Sequence, residues 1–226
     1  MADNNFENEK LELVQEKKGD FNILKEAWEW FYTIAIALIV AFSIKFYIID
    51  IVRVDGPSMF PTLTTNDRVV VTKVGYKPVK SDIIILDSAY KNRMAYYAAY
   101  EEMNDTKLNF FSRISLYFKL PDELKRKYYI KRIIGMEGDV IDLKDGNVII
   151  NGEILDEPYY SGDTGITDIM TEYPFTVSEG HIFVMGDNRP NSKDSRSTSL
   201  GEVPVEAIGG KAVVRLWPLS AIGALK

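Results

Sequence analysis

Three parts of this 226-residue sequence carry side chains that could do chemistry together. The first is Asp55-Gly56-Pro57-Ser58-Met59-Phe60-Pro61-Thr62-Leu63. Gly56, Pro57 and Pro61 punctuate a turn, which leaves the Ser58 hydroxyl on a constrained bend, free to face a cleft. By itself, a serine between prolines is only a turn residue. The second part, Tyr128-Tyr129-Ile130-Lys131-Arg132-Ile133-Ile134-Gly135, sets a lysine inside an apolar strand. Alternation turns Lys131 and Arg132 to opposite faces, so one of them is driven toward the core. Burying an unpaired ammonium is costly; the other reading is a solvent-facing Lys131 beside a paired Arg132, and periodicity does not choose. The third part is the polar run Gly186–Arg196, whose Asp, Asn, Arg and Ser side chains suit a hydrogen-bonded network and equally a solvated loop.

Composition removes several other chemistries. There is no cysteine, which excludes disulfides, thiol nucleophiles and most structural zinc sites. His181 is the one histidine, so any Ser-His-Asp machinery would have to pass through it. Lys and Arg total 27 against 33 for Asp and Glu, a net of −6. That balance offers no general basic surface and argues against a nucleic-acid partner.

The elements that must position these groups follow from patterning. Residues 1–27 are polar and charge-rich and read as a tail with a short helix near Phe21–Ala27. Trp28–Ile49 is then almost wholly apolar, about 33 Å long as a helix, and long enough to span a membrane. Glu29 and Lys45 can snorkel, and Trp28, Trp30, Tyr32 and Tyr47 suit the interfaces. Lys10, Lys17, Lys18 and Lys25 precede this anchor and Lys45 and Arg53 follow it, a bias toward an inside N-terminus. Period-two patterning predicts strands at Ile51–Asp55, Arg68–Lys73, Asp82–Leu86, Tyr128–Ile134, Val140–Leu143, Val148–Ile150, Ile182–Met185 and Lys211–Trp217. Asp145-Gly146 and Asn151-Gly152 are hairpin turn signals. The expected fold is therefore mainly β, with curled antiparallel sheets, an N-terminal membrane helix and a helical insert over 89–127. In that insert Leu108, Phe111, Ile114 and Phe118 fall along one helical face. Such a stripe is that of a core helix, or of a membrane-surface or partner-binding subdomain.

Together the three parts resemble the signature boxes of the bacterial type I signal peptidases. The match lies in Ser58-Met59-x-Pro61-Thr62-Leu63, in Lys131-Arg132 followed by Gly135 and Gly138-Asp139, and in Gly186-Asp187-Asn188-Arg189-x-Asn191-Ser192-x-Asp194-Ser195-Arg196. It runs from the anchor to about Pro218 and leaves out the insert. The resemblance implies a Ser-Lys dyad, with Ser58 as nucleophile and Lys131 as its general base. A free lysine near pKa ~10.4 leaves on the order of one molecule in a few thousand neutral at pH 7. Burial can lower that pKa by roughly 3–5 units, into the range a base needs. Ser192 matches a residue that hydrogen-bonds the lysine, and Asp194 and Arg196 match a supporting ion pair. His181 matches no catalytic position.

The same resemblance implies the substrate: signal peptides of exported preproteins, with small side chains one and three residues before the cut. The peptide would add as a strand between Ile51–Asp55 and Tyr128–Lys131, with Met59, Leu63, Tyr129 and Ile130 lining its pockets. No metal and no cofactor is implied. The expected partners are the signal peptides, the lipid bilayer and the secretion machinery. The expected organisation is a cytoplasmic tail at 1–27, a single-pass anchor at 28–49 in the cell membrane, and an extracytoplasmic catalytic domain over 50–226. Gly56 departs from the pattern, standing where some members carry a serine that donates to the oxyanion, so the Ser58 N–H would need another donor beside it. Asn66-Asp67 and Ser81-Asp82 stand where Gly-Asp is usual, and Met136-Glu137 where Leu-Pro is frequent. A β-lactamase-type S-x-x-K motif is excluded by Pro61. A catalytically silent binding or assembly protein of the same fold should have lost Ser58 or Lys131, and both are present.

Overall fold

The computed structural model describes residues 23–43, 45, 48–160, 162–165 and 172–225. The chain divides into two compact units, Met1–Phe46 and Tyr47–Lys226. In the first, helix α1 spans Ile23–Ser43, about 32 Å at the helical rise. Its segment Lys25–Ser43 is long and apolar enough to cross a membrane, and none of it is buried. The expected span of 28–49 is corrected at both ends. The α-helix starts five residues earlier, and Ile49 already belongs to the first strand. Most of the expected tail, and Tyr47, lie outside the described residues.

The second unit is built from twelve strands among the described residues. They are β1 (Ile49–Arg53), β2 (Arg68–Thr72), β3 (Ile83–Asp87), β4 (Tyr128–Met136), β5 (Val140–Lys144), β6 (Asn147–Ile150), β7 (Glu153–Ile154), β8 (Phe175–Thr176), β9 (His181–Met185), β10 (Val203–Pro204), β11 (Ile208–Trp217) and β12 (Gly223–Ala224). Every strand expected from alternation is present, with no end displaced by more than three residues. One antiparallel sheet runs β1-β2-β11-β3-β4-β9-β10 with β12 on β11; the other runs β7-β6-β5-β8. Asp145 and Asn151 adopt φ of 51° and 54° ahead of their glycines, the left-handed geometry that two-residue hairpins require.

Packing of the two sheets explains a feature that alternation alone does not give. β3 is buried along its whole length, and β4 from Lys131 to Gly135. Both faces of these strands are covered, so Lys131 and Arg132 are both buried, at 3% and 1% exposure, on opposite sides. The expectation that only one would be driven inward is thus corrected. Met59 and Leu63 join Val54, Val69, Val71, Ile83, Ile85 and Ala212 in the core cluster under the serine segment.

The insert leaves β3 at Asp87 and returns at Tyr128. It carries α2 (Tyr90–Met103) and α3 (Phe110–Lys119). Its base is firmly built. Arg93, 4% exposed, donates to Asp87 Oδ2 at 2.5 Å and to the Leu124 carbonyl at 3.3 Å. Asn109 caps α3 by accepting from Ser112 N–H at 2.9 Å. No residue of α3 is buried, and Phe110, Phe111 and Phe118 are 71%, 78% and 76% exposed. The aromatic stripe is therefore not a core face.

Candidate active site

Ser58 lies on the turn that follows β1. Phe60 N–H bonds back to the Pro57 carbonyl at 3.0 Å, and Leu63 N–H to the Met59 carbonyl at 2.8 Å. Gly56 opens this turn with φ of 91°, a left-handed conformation that disfavours any side chain, although open space surrounds its Cα. Met59 and Leu63 sink into the core and hold the segment down. The polar run then ties it from the other side. Asn188 N–H donates to the Ser58 carbonyl at 3.0 Å, and Asn188 Nδ2 to the Pro57 carbonyl at 3.1 Å. Gly186 allows this approach, since a Cβ there would collide with Ser192 Oγ and the Ser58 carbonyl oxygen.

Lys131 reaches the same point from β4. Its Nζ lies 2.8 Å from Ser58 Oγ and donates to the Ile130 carbonyl at 3.0 Å. It also sits 5.3 Å from the centre of the Tyr129 ring. Burial pushes the Lys131 pKa down to about 8, against the opposing pull of the Asp194 and Asp187 carboxylates and with some help from Arg196. In its neutral form this amine can accept the Ser58 proton. Among the described residues, no hydrogen bond from the Ser58 N–H to a protein acceptor is present.

The supporting groups separate into two buried ion pairs. Arg132 grips Asp187 with Nε at 2.9 Å and Nη2 at 2.7 Å, and its Nη1 donates to the Ser81 carbonyl at 2.8 Å. The Tyr159 ring covers the guanidinium at 3.9 Å. Asp194 and Arg196 form a second bidentate pair, at 2.8 and 2.9 Å, and Asp194 Oδ2 accepts the Gly186 N–H at 3.1 Å. Arg196 also holds the Arg189 carbonyl at 2.7 Å, which shapes the turn carrying Asn188. The expected ion pair is therefore present. The expected bond from Ser192 to Lys131 is not: Ser192 Oγ is buried with no hydrogen-bond partner, and Ile130 O takes the bond Lys131 has to spare.

A cleft of about 300 Å³ opens in front of Ser58 and Lys131. It is lined by Val52–Met59 from the β1 side, by Tyr128–Lys131 from β4, and by Ile85, Asn191 and Lys193. Met59, Tyr129 and Ile130 line it as expected. Leu63 does not; it is fully buried in the core beneath. Both walls present free strand edges. β1 ends its sheet, and β4 pairs with β9 only from Arg132 onward, leaving Tyr128–Lys131 with β3 alone. His181 stands apart, pairing opposite Pro204 with Nδ1 at 2.7 Å from the Glu179 carbonyl. Among the described residues no cluster of His, Asp or Glu could hold a metal.

Thr62, Arg132, Asp187 and Asn188 stand in the three sequence motifs, which alone assign them no role at the site. The structure supplies one, through the Arg132–Asp187 ion pair, the Thr62–Asp187 bond and the Asn188 bonds to Pro57 and Ser58.

A serine beside a desolvated amine, in a cleft flanked by unpaired strand edges, has the form of a serine endopeptidase site. A family model described as "Signal peptidase, peptidase S26" matches residues 27–217, and the chain belongs to that family of hydrolases. It is 32% identical over 201 residues to the "Probable signal peptidase I-2" of Synechocystis sp., covering 85% of this chain and 74% of that protein. It is 31% identical over 212 residues to the "Signal peptidase IB" of Staphylococcus aureus, covering 87% and 92%. Among solved structures it is similar to a signal peptidase I from Enterococcus faecalis V583, with 26% identity, a TM-score of 0.39, and coverage of 60% of this chain and 97% of that one.

Proposed function

We propose that this chain is a membrane-anchored endopeptidase that removes signal peptides from exported preproteins through an acyl-enzyme formed on Ser58. The observation that carries this reading is the 2.8 Å separation of Ser58 Oγ from a lysine amine that is 3% exposed. Neutral Lys131 takes the Ser58 proton as Oγ attacks the scissile carbonyl carbon. The Ser58 N–H donates to the oxyanion that forms. Collapse of the intermediate breaks the peptide C–N bond, and the Lys131 ammonium returns its proton to the leaving amine. Water, deprotonated by the same amine, then frees the acyl group and regenerates Ser58.

The substrate enters extended and bonds to the free edges of β1 and of Tyr128–Lys131, its alternate side chains falling toward Met59, Tyr129 and Ile130. Asp194, Arg196 and Ser192 act at one remove: the ion pair shapes the 186–196 turn, and Ser192 packs where Gly186 makes room. Helix α1 anchors the chain in the cell membrane with its N-terminus cytoplasmic, and the unit after it works on the extracytoplasmic face. The secretion machinery that delivers preproteins is its natural neighbour.

Ser58→Ala and Lys131→Ala should each abolish cleavage of a preprotein while leaving a folded, membrane-bound chain. Robust cleavage by the Lys131→Ala protein would overturn the assignment of the base.

A further inference from the structure

We propose that the exposed face of α3 is a second membrane contact, seating itself in the headgroup region of an anionic bilayer. The proposal rests on the membrane anchoring read above and on nothing in the Ser58–Lys131 chemistry. Four large apolar side chains, Phe110, Phe111, Ile114 and Phe118, share one face of a ten-residue helix, and all are exposed. Helix periodicity places them within roughly a third of a turn of one another, opposite the side that carries Leu116 and Ser112. Truncation of such a face would leave no cavity, so it serves no packing purpose inside the unit.

Charge indicates what covers this face. Over 88–127 Lys and Arg outnumber Asp and Glu eight to five, in a chain whose net charge is −6. Within α3 itself Arg113 and Lys119 are present and no acidic residue is. Lys107 and Lys119 are exposed at the two ends of the helix, and Arg113 is exposed but paired with Glu101 at 3.4 Å, so cations stand at both ends of the apolar face. Apolar side chains flanked by cations favour an anionic lipid interface over a neutral one.

Sheet register adds an independent reason. Ile49 pairs with Thr72, Thr72 with Lys211, and Lys211 with Ile84. Because each neighbour is antiparallel to the last, β1 starts at the same end of the sheet at which β3 finishes. The insert thus springs from the margin at which the chain arrives from α1. Arg93, Asp87 and the buried Tyr97 and Leu120 fix the base of the insert on that margin.

The chain has no cysteine, so one introduced cysteine can be labelled cleanly. Full-length Ser58→Ala protein carrying Ser115→Cys, beside the apolar face, is labelled with an environment-sensitive fluorophore. A Lys144→Cys protein, labelled on the other sheet, serves as the control. Both are reconstituted into vesicles of phosphatidylcholine with or without phosphatidylglycerol, containing acyl-chain nitroxide lipids. The label at 115 should be quenched several-fold more than that at 144, and more strongly with phosphatidylglycerol. Phe110→Ser/Phe111→Ser/Phe118→Ser should remove the excess with an unchanged unfolding midpoint. Lys107→Glu/Lys119→Glu should remove the preference for phosphatidylglycerol. Equal quenching at 115 and 144, or quenching that survives the triple serine variant, overturns the proposal. So does energy transfer between labels at 115 in place of lipid quenching, which would assign the face to a second copy. No substrate is used, so failure of the catalytic assignment would leave this readout untouched.

Discussion

Thr62 and Asp187 lie 125 positions apart and meet at 2.5 Å, the threonine hydroxyl donating to the carboxylate. The same carboxylate is gripped by Arg132, the neighbour of Lys131 on β4. The serine segment and the lysine strand are thereby tied through one buried ion pair, alongside the 2.8 Å approach of Ser58 to Lys131. Thr62→Val should keep the fold, cost about 1 kcal/mol for the lost hydrogen bond, and lower kcat/KM about tenfold. Asp187→Asn should be far worse, at roughly 3–5 kcal/mol, because it removes the negative charge that balances the buried Arg132 guanidinium. Thermal unfolding and peptide-cleavage kinetics on the two variants check this ordering. Equal stability of both with the parent protein would show that the tie is incidental.

Burial that lowers the Lys131 pKa must also weaken the fold. Its pKa in the folded chain is about 8, against 10.5 for a free lysine. Between those values the unfolded chain binds the proton and the folded chain does not, so stability rises with pH across that window. Below about pH 8 the full cost is present, on the order of 3 kcal/mol. Lys131→Met removes the ionisable group and should be more stable than the parent by roughly 1–3 kcal/mol at pH 7. The difference should shrink as pH climbs from 8 toward 10.5. Denaturant unfolding at pH 7 and pH 10 measures it, and a variant less stable than the parent at pH 7 would refute this cost.

Gly56 combines a left-handed φ of 91° with open space around its Cα. Alanine and serine there carry the same backbone strain, about 1 kcal/mol, so their ratio isolates the hydroxyl. Both should lose activity relative to glycine. Gly56→Ser should exceed Gly56→Ala in kcat, with KM alike, if the hydroxyl reaches the oxyanion beside the Ser58 N–H. Identical kcat values for the two would place the second donor elsewhere.

Much of this was legible in the residues. Alternation located the strands, Asp-Gly and Asn-Gly located the hairpins, and the prolines around Ser58 marked its bend. What escaped was anything that depends on a second layer. Period two says that Lys131 and Arg132 face opposite ways, but not that both sides of β4 are covered. The family resemblance makes Leu63 a pocket residue, yet the turn directs it into the core. The bond expected between Ser192 and Lys131 came from resemblance alone, and the distances give that bond to Ile130 O. The stripe on α3 shows the same limit, since periodicity identifies an apolar face without saying whether protein, water or lipid lies against it.

The proposed catalysis requires Lys131 in its neutral form, and the pH dependence of kcat/KM on a soluble signal-peptide substrate tests this most directly. The rate should rise tenfold per pH unit on the acid side and level off through an apparent pKa near 8, the value set by burial of the amine. A profile flat from pH 6 to 9, or one that falls as pH rises through 8, would contradict it.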